Sequence, residues 1–225
     1  LDWSVLLDGG PDRRSRTLRS HKTRFGAVNE LGVFAMTGQG LKEVSNPSAI
    51  FLSRGEEETS GSSVMVVWEG TRPLLLEIQA LVDQSHGSNP RRITVGFDYN
   101  RLSMLLAILN RHGSLTLGNY DIFTNLVGGI KITETGADLS LLLAIVSSYK
   151  DKVIHPDTVI FGEVGLSGEI RPIPYGQERL AEARKHGFRR AIIPSGNKPP
   201  ESRSGILADM YISPVSKLHE AINLV

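Results

Sequence analysis

The sequence predicts a mixed α/β (α+β) chain, and three observations carry that prediction. Short apolar runs with strand character alternate with segments that repeat their leucines at helical spacing, and the connections between them are short. A charged, Gly/Ser-rich stretch, "SRGEEETSGSS", lacks any apolar period and separates an irregular first part from a regular second part. The composition is 40% hydrophobic and 22% charged over 225 residues, enough for a sizeable core.

The elements follow in order. "WSVLLDGG" reads as a strand that stops at Gly9-Gly10-Pro11, and "SRTLRSHKTRFG" as a second strand with Arg and Lys on its solvated face. A turn is expected at residues 38–40, and Asn46-Pro47 opens another segment. The boundary is placed near Thr59, giving units 1–58 and 59–225. "SSVMVVWEGTRPLLLEIQALV" predicts a hairpin turning at Glu69-Gly70-Thr71-Arg72-Pro73. "RLSMLLAILNRHG" places Leu102, Leu105, Leu106 and Leu109 on one helical stripe, with Asp98 or Asn100 as the N-cap and Gly113 as the C-cap. "FTNLVGGIKI" predicts a strand, and an almost wholly apolar helix follows Asp138. "DTVIFGEVGLSGEIRPIP" predicts strand, turn and strand. "GQERLAEARKHG" predicts a helix with Leu180 and Ala183 inward and Gly187 past its end. "RRAIIP" predicts a short buried strand, and "VSKLHEAINLV" a last helix capped by Ser216.

Composition excludes several function classes. There are no cysteines, hence no disulfide frame and no thiolate metal site, in keeping with a reducing, cytoplasmic setting. The six histidines are scattered with no H-x-x-x-H pair, so no metal site is expected. No G-x-x-x-x-G-K-[ST] phosphate loop occurs, so no nucleotide cofactor is expected in this chain alone. No apolar run reaches the roughly 18–20 residues of a membrane span, and no membrane partner is expected. The opening "LDWSVLLDGG" lacks a basic leader and suggests a segment of a longer protein. Net charge is +1, but residues 1–26 hold Arg13, Arg14, Arg16, Arg19, Lys22 and Arg24 against three aspartates.

The run "FGEVGLSGEIRPI", from Phe161 to Ile173, together with "IPSGN" from Ile193 to Asn197, is similar to the proteolytic domain of Lon peptidases over residues 60–225. That resemblance implies a fold of the ribosomal protein S5 domain 2-like type. In Lon peptidases a G-P-S-A-G turn carries the nucleophilic serine and a later helix carries the lysine. Here Asp138 falls at the serine position and Gln177 at the lysine position. A Ser–Lys dyad needs a hydroxyl to attack and an amine to take its proton, so a carboxylate and an amide cannot replace it. The implication is a Lon-like pseudoprotease in which Asp138 serves as a helix N-cap. The rival reading is an active serine peptidase using Ser140, but that residue stands about 200° round the helix from Asp138.

The earlier "RSHKTRFGAVNELGVFAMTGQGLKEVSNPSAIFLSRG" resembles the RadA/Sms family of bacterial DNA repair and recombination proteins. The segment joins their RecA-like ATPase core to a Lon-like domain. The family's Lys-Asn-Arg-Phe-Gly signature stands here as Lys22, Thr23, Arg24, Phe25 and Gly26, with Thr in place of Asn. The resemblance implies that residues 1–58 are the end of a RecA-like ATPase core and 59–225 a Lon-like domain. For the longer protein it implies ATP, Mg and Zn as cofactors and a DNA-dependent ATPase that migrates branches and translocates on DNA. It further implies single-stranded and branched DNA as partners, a homohexameric ring, and a link to RecA recombinase. A guanidinium in the signature suits pairing with phosphate. The candidate DNA contacts of the second unit are Arg91, Arg92, Arg101, Arg111, Lys185, Arg189 and Arg190. The remaining alternative is a protein-interaction module with no DNA role.

Overall fold

The computed structural model describes residues 3–9, 15–23, 31–45, 52, 57–200 and 207–225. A four-stranded antiparallel meander comes first: β1 (Trp3–Asp8), β2 (Ser15–Thr23), β3 (Leu31–Thr37) and β4 (Gly40–Glu43), in that order. The predicted turn at 38–40 joins β3 to β4. Thr37 Oγ1 accepts from Gln39 N at 3.2 Å and donates to Gly40 O at 2.8 Å. Arg19 on β2 reaches Glu69 at 2.9 Å, tying the meander to the next hairpin.

The main body is a seven-stranded mixed sheet in the order β13-β12-β9-β5-β6-β8-β7. Its centre is the predicted hairpin of β5 (Ser62–Glu69) and β6 (Arg72–Gln84), paired antiparallel. β8 (Tyr120–Leu126) extends the sheet on one side, and β7 (Arg92–Val95) forms that edge. β9 (Thr158–Ile160), β12 (Arg190–Pro194) and β13 (Tyr211–Val215) extend it in parallel on the other. A small antiparallel pair, β10 (Glu163–Val164) and β11 (Ile170–Arg171), stands apart.

Strand alternation splits the apolar interior into two layers. Met65 and Val67 face one core with α1 (Tyr99–Gly113), α2 (Asp138–Lys150) and α4 (Leu218–Ile222). Val64 and Val66 face the other, with Leu180 and Ala183 of α3 (Gly176–Lys185). Helices therefore cover both faces of the sheet. α2 is apolar all round because it is enclosed all round: every residue from Asp138 to Ser147 is buried. Each of its large side chains stabilises the fold by about 1.5–3 kcal/mol on burial.

Several boundaries differ from the sequence expectation. The strand expected at 123–132 runs over Tyr120–Leu126 and ends before Gly128 and Gly129, whose φ values of 92° and 70° turn the chain. The left-handed residue after α1 is Ser114, not Gly113. A Cβ on Gly113 would sit 2.8 Å from the Leu109 Cδ1 and 2.9 Å from the Ile222 Cδ1, so a side chain there would have to displace both methyl groups. Asp98, rather than Asn100, caps α1 by accepting from Arg101 N at 3.0 Å. Ser216 does not cap α4; its hydroxyl meets Ser195 Oγ, and Glu220 accepts from Lys217 N instead. β7 and β13 were not expected: each is only four or five residues long, and β13 contains Pro214.

Candidate functional site at the mouth of helix α2

A 3₁₀ turn at Thr135–Ala137 leads straight into α2, so Asp138 is the first helical residue rather than the cap. Its side chain makes no capping bond and turns to α1 instead. Arg101 Nε donates to Asp138 Oδ1 at 3.0 Å and Arg101 Nη2 to Oδ2, a two-pronged ion pair. The backbone N–H of Val164 donates to Oδ2 at 3.1 Å. Asp138 is 3% exposed. Burial pushes its carboxyl above the ordinary range, against the downward pull of Arg101 and the Val164 N–H. Asp138 in turn holds the Arg101 guanidinium above its usual value.

The passing strand seals this helix end. Gly162 N donates to Gly136 O at 2.9 Å, and Leu139 N to Gly162 O at 3.0 Å, which satisfies one of the orphan donors of the first turn. Ser140 points away, toward the sheet. It is fully buried, its hydroxyl bonded to that of Ser63, which also donates to Ser140 O at 2.9 Å. Gln177 lies in the first turn of α3, half-buried, on the helix that packs against the other sheet face.

A second carboxylate–guanidinium pair grips the same turn from that other face. Arg179, 3% exposed, donates to Glu134 Oε1 at 2.6 Å, to Val66 O at 2.8 Å and to Pro174 O at 3.0 Å. Glu134 Oε2 accepts from Trp68 N at 2.8 Å. Sequence reasoning missed this pair, although Arg179 and Ala183 are four residues apart on the inward stripe and so mark a buried arginine. The I-P-S-G-N run acquires a physical role here. Asn197 accepts from Ile173 N at 2.9 Å and donates to Ile173 O at 2.8 Å, pinning the segment that leads into α3. Beside the turn lies a cleft of about 210 Å³ lined by Phe97, Arg101, Ile132, Thr133, Glu134 and Asp138.

The candidate DNA contacts divide between distant places. Arg101 is held by Asp138. Arg91 and Arg92 lie at the β7 edge: Arg91 pairs with Asp121 at 3.2 Å, and Arg92 donates to the carbonyls of Tyr120 and Leu117. Arg111 is exposed in the last turn of α1. Lys185, Arg189 and Arg190 gather at the opposite end of the sheet, where α3 ends and β12 begins. Lys22 and Thr23 are backbone members of β2, opposite Ser4 and Trp3, whereas Arg24, Phe25 and Gly26 lie outside the described residues. Among the described residues, no cluster of three or more His, Asp or Glu side chains could hold a metal ion, and no helix is long and apolar enough to cross a membrane.

Fold and site together define a mixed α/β domain whose helix mouth is closed by a buried, neutralised carboxylate. Residues 104–197 match the family described as subunit ChlI of Mg-chelatase, a stretch without the G-x-x-x-x-G-K-[ST] sequence. The chain is 66% identical over 224 residues to DNA repair protein RadA of Escherichia coli K12, covering 100% of this chain and 48% of that protein. It is 55% identical over 223 residues to DNA repair protein RadA of Pseudomonas aeruginosa, covering 99% and 48%. With that of Bacillus subtilis it shares 43% over 197 residues, covering 88% and 43%. The chain belongs to the RadA family, matching the C-terminal part of these proteins and spanning about half the length of the curated relatives.

Proposed function

We propose that this chain is the non-peptidase scaffold of a DNA repair protein, a Lon-like domain (59–225) behind the end of a RecA-like ATPase core (1–58). The observation that carries the reading is the α2 mouth. Where a serine peptidase needs a free hydroxyl beside an amine, Asp138 is buried and held by Arg101 and the Val164 N–H. A carboxylate held in this way is a poor nucleophile toward an amide, and the guanidinium beside it stays protonated and cannot take a proton as a lysine amine would. The same bonds join α1, α2 and β10, which suits a rigid platform. In the longer protein this platform would hold a homohexameric ring together and grip single-stranded and branched DNA. ATP with Mg would drive branch migration and translocation from the rest of the protein, with Zn held there too, alongside RecA. The chain has no cysteine for a thiolate zinc site, and among the described residues no cluster of three or more His, Asp or Glu side chains could hold the ion.

The test is DNA binding across a salt series, with the oligomeric mass measured in the same buffers. A ring-sized assembly with a steep loss of affinity on adding salt is expected. A monomer that ignores DNA at low salt would remove both the ring and the DNA-gripping roles.

A further inference from the structure

α3 covers only part of its face of the sheet. Its Leu180 and Ala183 share a core with Val64 and Val66 of β5 and Leu75 of β6. Farther along β6 the same face stays open. Ala80 and Val82 of β6 and Ile122 and Leu126 of β8 turn to the α1 side, so Leu81 and Phe123 look out from the other face. Leu81 stands opposite Phe123, and Phe123 opposite Ile93 of β7, which makes one apolar row across three strands. Val95 follows two residues after Ile93 on the same face. Leu81 is 57% exposed, Ile93 48% and Val95 52%, and none of the four belongs to either core. The next row is polar. Asp83 stands opposite Asp121, and Arg91 answers Asp121 at 3.2 Å, which leaves Asp83 as the exposed acid of that rim.

α1 carries a matching surface. Its leucine stripe is buried, and its outer side exposes Tyr99, Ser103, Met104 and Ala107, with Tyr99 at 52% and Met104 at 42%. At 100° per residue these four lie within about 140° of one another. The outer side of a surface helix ordinarily bears charges. Here Arg101 is turned to Asp138, and the next charge is Arg111, exposed in the last turn. Ser103 and Ala107 are small and let the helix backbone come close to a flat neighbour. α1 shares its core with Ile122 and Leu126, so it lies on the side of β8 away from the open row. The two surfaces therefore point away from each other, and one copy cannot bring them together.

We propose that the outer side of α1 in one copy of this chain packs on the open Leu81–Phe123–Ile93 row of the next copy, with Arg111 of the first meeting Asp83 of the second. The helix supplies the cover that α3 does not reach, and the lone cation of one surface answers the exposed acid of the other. The proposal rests on the reading of this chain as a ring-forming platform and adds which surfaces make the ring. A contact between two unlike surfaces leaves one of each kind open on every copy, so it propagates and closes into a ring where the rotation allows. A two-fold contact between like surfaces would stop at two copies.

The test is the mass of the full chain in solution, read by light scattering over a concentration series. Leu81→Glu on the sheet and Ala107→Glu on the helix should each weaken association about 100-fold, because each buries an unpaired carboxylate in the contact. Each variant alone is then expected at the mass of one chain. An equimolar mixture of the two is expected at the mass of two chains, since the intact helix of Leu81→Glu fits the intact sheet of Ala107→Glu and nothing further can add. Val153→Glu, at a position 42% exposed outside both surfaces, should assemble as the unaltered chain does. A variant whose Tm falls is replaced by Ile93→Asp or Met104→Asp on the same surface. If the unaltered chain forms a ring and either surface variant still forms it, these surfaces are refuted and the ring reading survives. If both variants are single chains and their mixture stays so, the head-to-tail contact is refuted. If the unaltered chain is a single chain at every concentration, both readings fall together.

Discussion

Arg101→Met keeps the aliphatic stem of Arg101 and removes its charge, leaving the Asp138 carboxylate with the Val164 N–H. Because Asp138 is 3% exposed, the remaining charge is uncompensated, and breaking such a buried pair costs about 3–5 kcal/mol. The Arg101 side chain is 29% exposed, so water can approach from that side and the lower end of the range is expected. The cost should depend on pH in a definite direction. Asp138 is already raised by burial, so the folded state binds its proton more readily than the unfolded state does. Stability then falls as pH rises from the unfolded value, about 3.9, through the raised folded value, and levels off above it. Removing Arg101 deletes a downward pull and extends that window upward, at up to about 1.4 kcal/mol per pH unit within it. The deficit of the variant relative to the unaltered chain should therefore be small near pH 4 and largest near neutrality, at about 3 kcal/mol. Asp138→Asn should cost less and show no such trend. Urea unfolding followed by tryptophan fluorescence at several pH values reads all three proteins, and taking differences cancels the other carboxylates. A deficit that is flat with pH, or that grows toward acid, would refute the argument.

Other substitutions probe the same frame. Asn197→Ala removes both bonds to Ile173 and should destabilise by about 1–3 kcal/mol for each backbone group left unsatisfied, seen as a lower Tm. Ser140→Ala should leave any peptide-cleavage assay at background and cost about 1 kcal/mol, since it deletes only the hydroxyl bonded to Ser63; a loss of measurable cleavage would revive the peptidase reading.

Much of the fold was legible because its elements carry strong local signals. The α1 stripe of Leu102, Leu105, Leu106 and Leu109 and the all-apolar α2 leave little choice of structure; α2 is buried as its pattern predicts, and in α1 Leu102, Leu105 and Leu109 are buried while Leu106 is half-buried. The β5–β6 hairpin is likewise marked by its Gly70 turn, where φ is 61°. What local pattern does not reach is the short and the shared. β7 and β13 are too brief to show a period, and they exist because the neighbouring strands β8 and β12 offer them a ladder. The site was legible in its identities but not in its bonds. Asp138 at the head of α2 could be read from spacing, and from spacing alone a cap was the natural role.

The sequence by itself determined the mixed α/β class, the lack of cysteine, and the kinship with the RadA family. These depend on which residues stand at which spacing along the chain. Only the tertiary structure decided that Asp138 answers Arg101 across 37 residues, that Glu134 answers Arg179 across 45, and that the basic residues part to opposite ends of the sheet. The physical reason is that a buried charge takes its partner from whatever packs against it, and packing brings together residues that local spacing never relates.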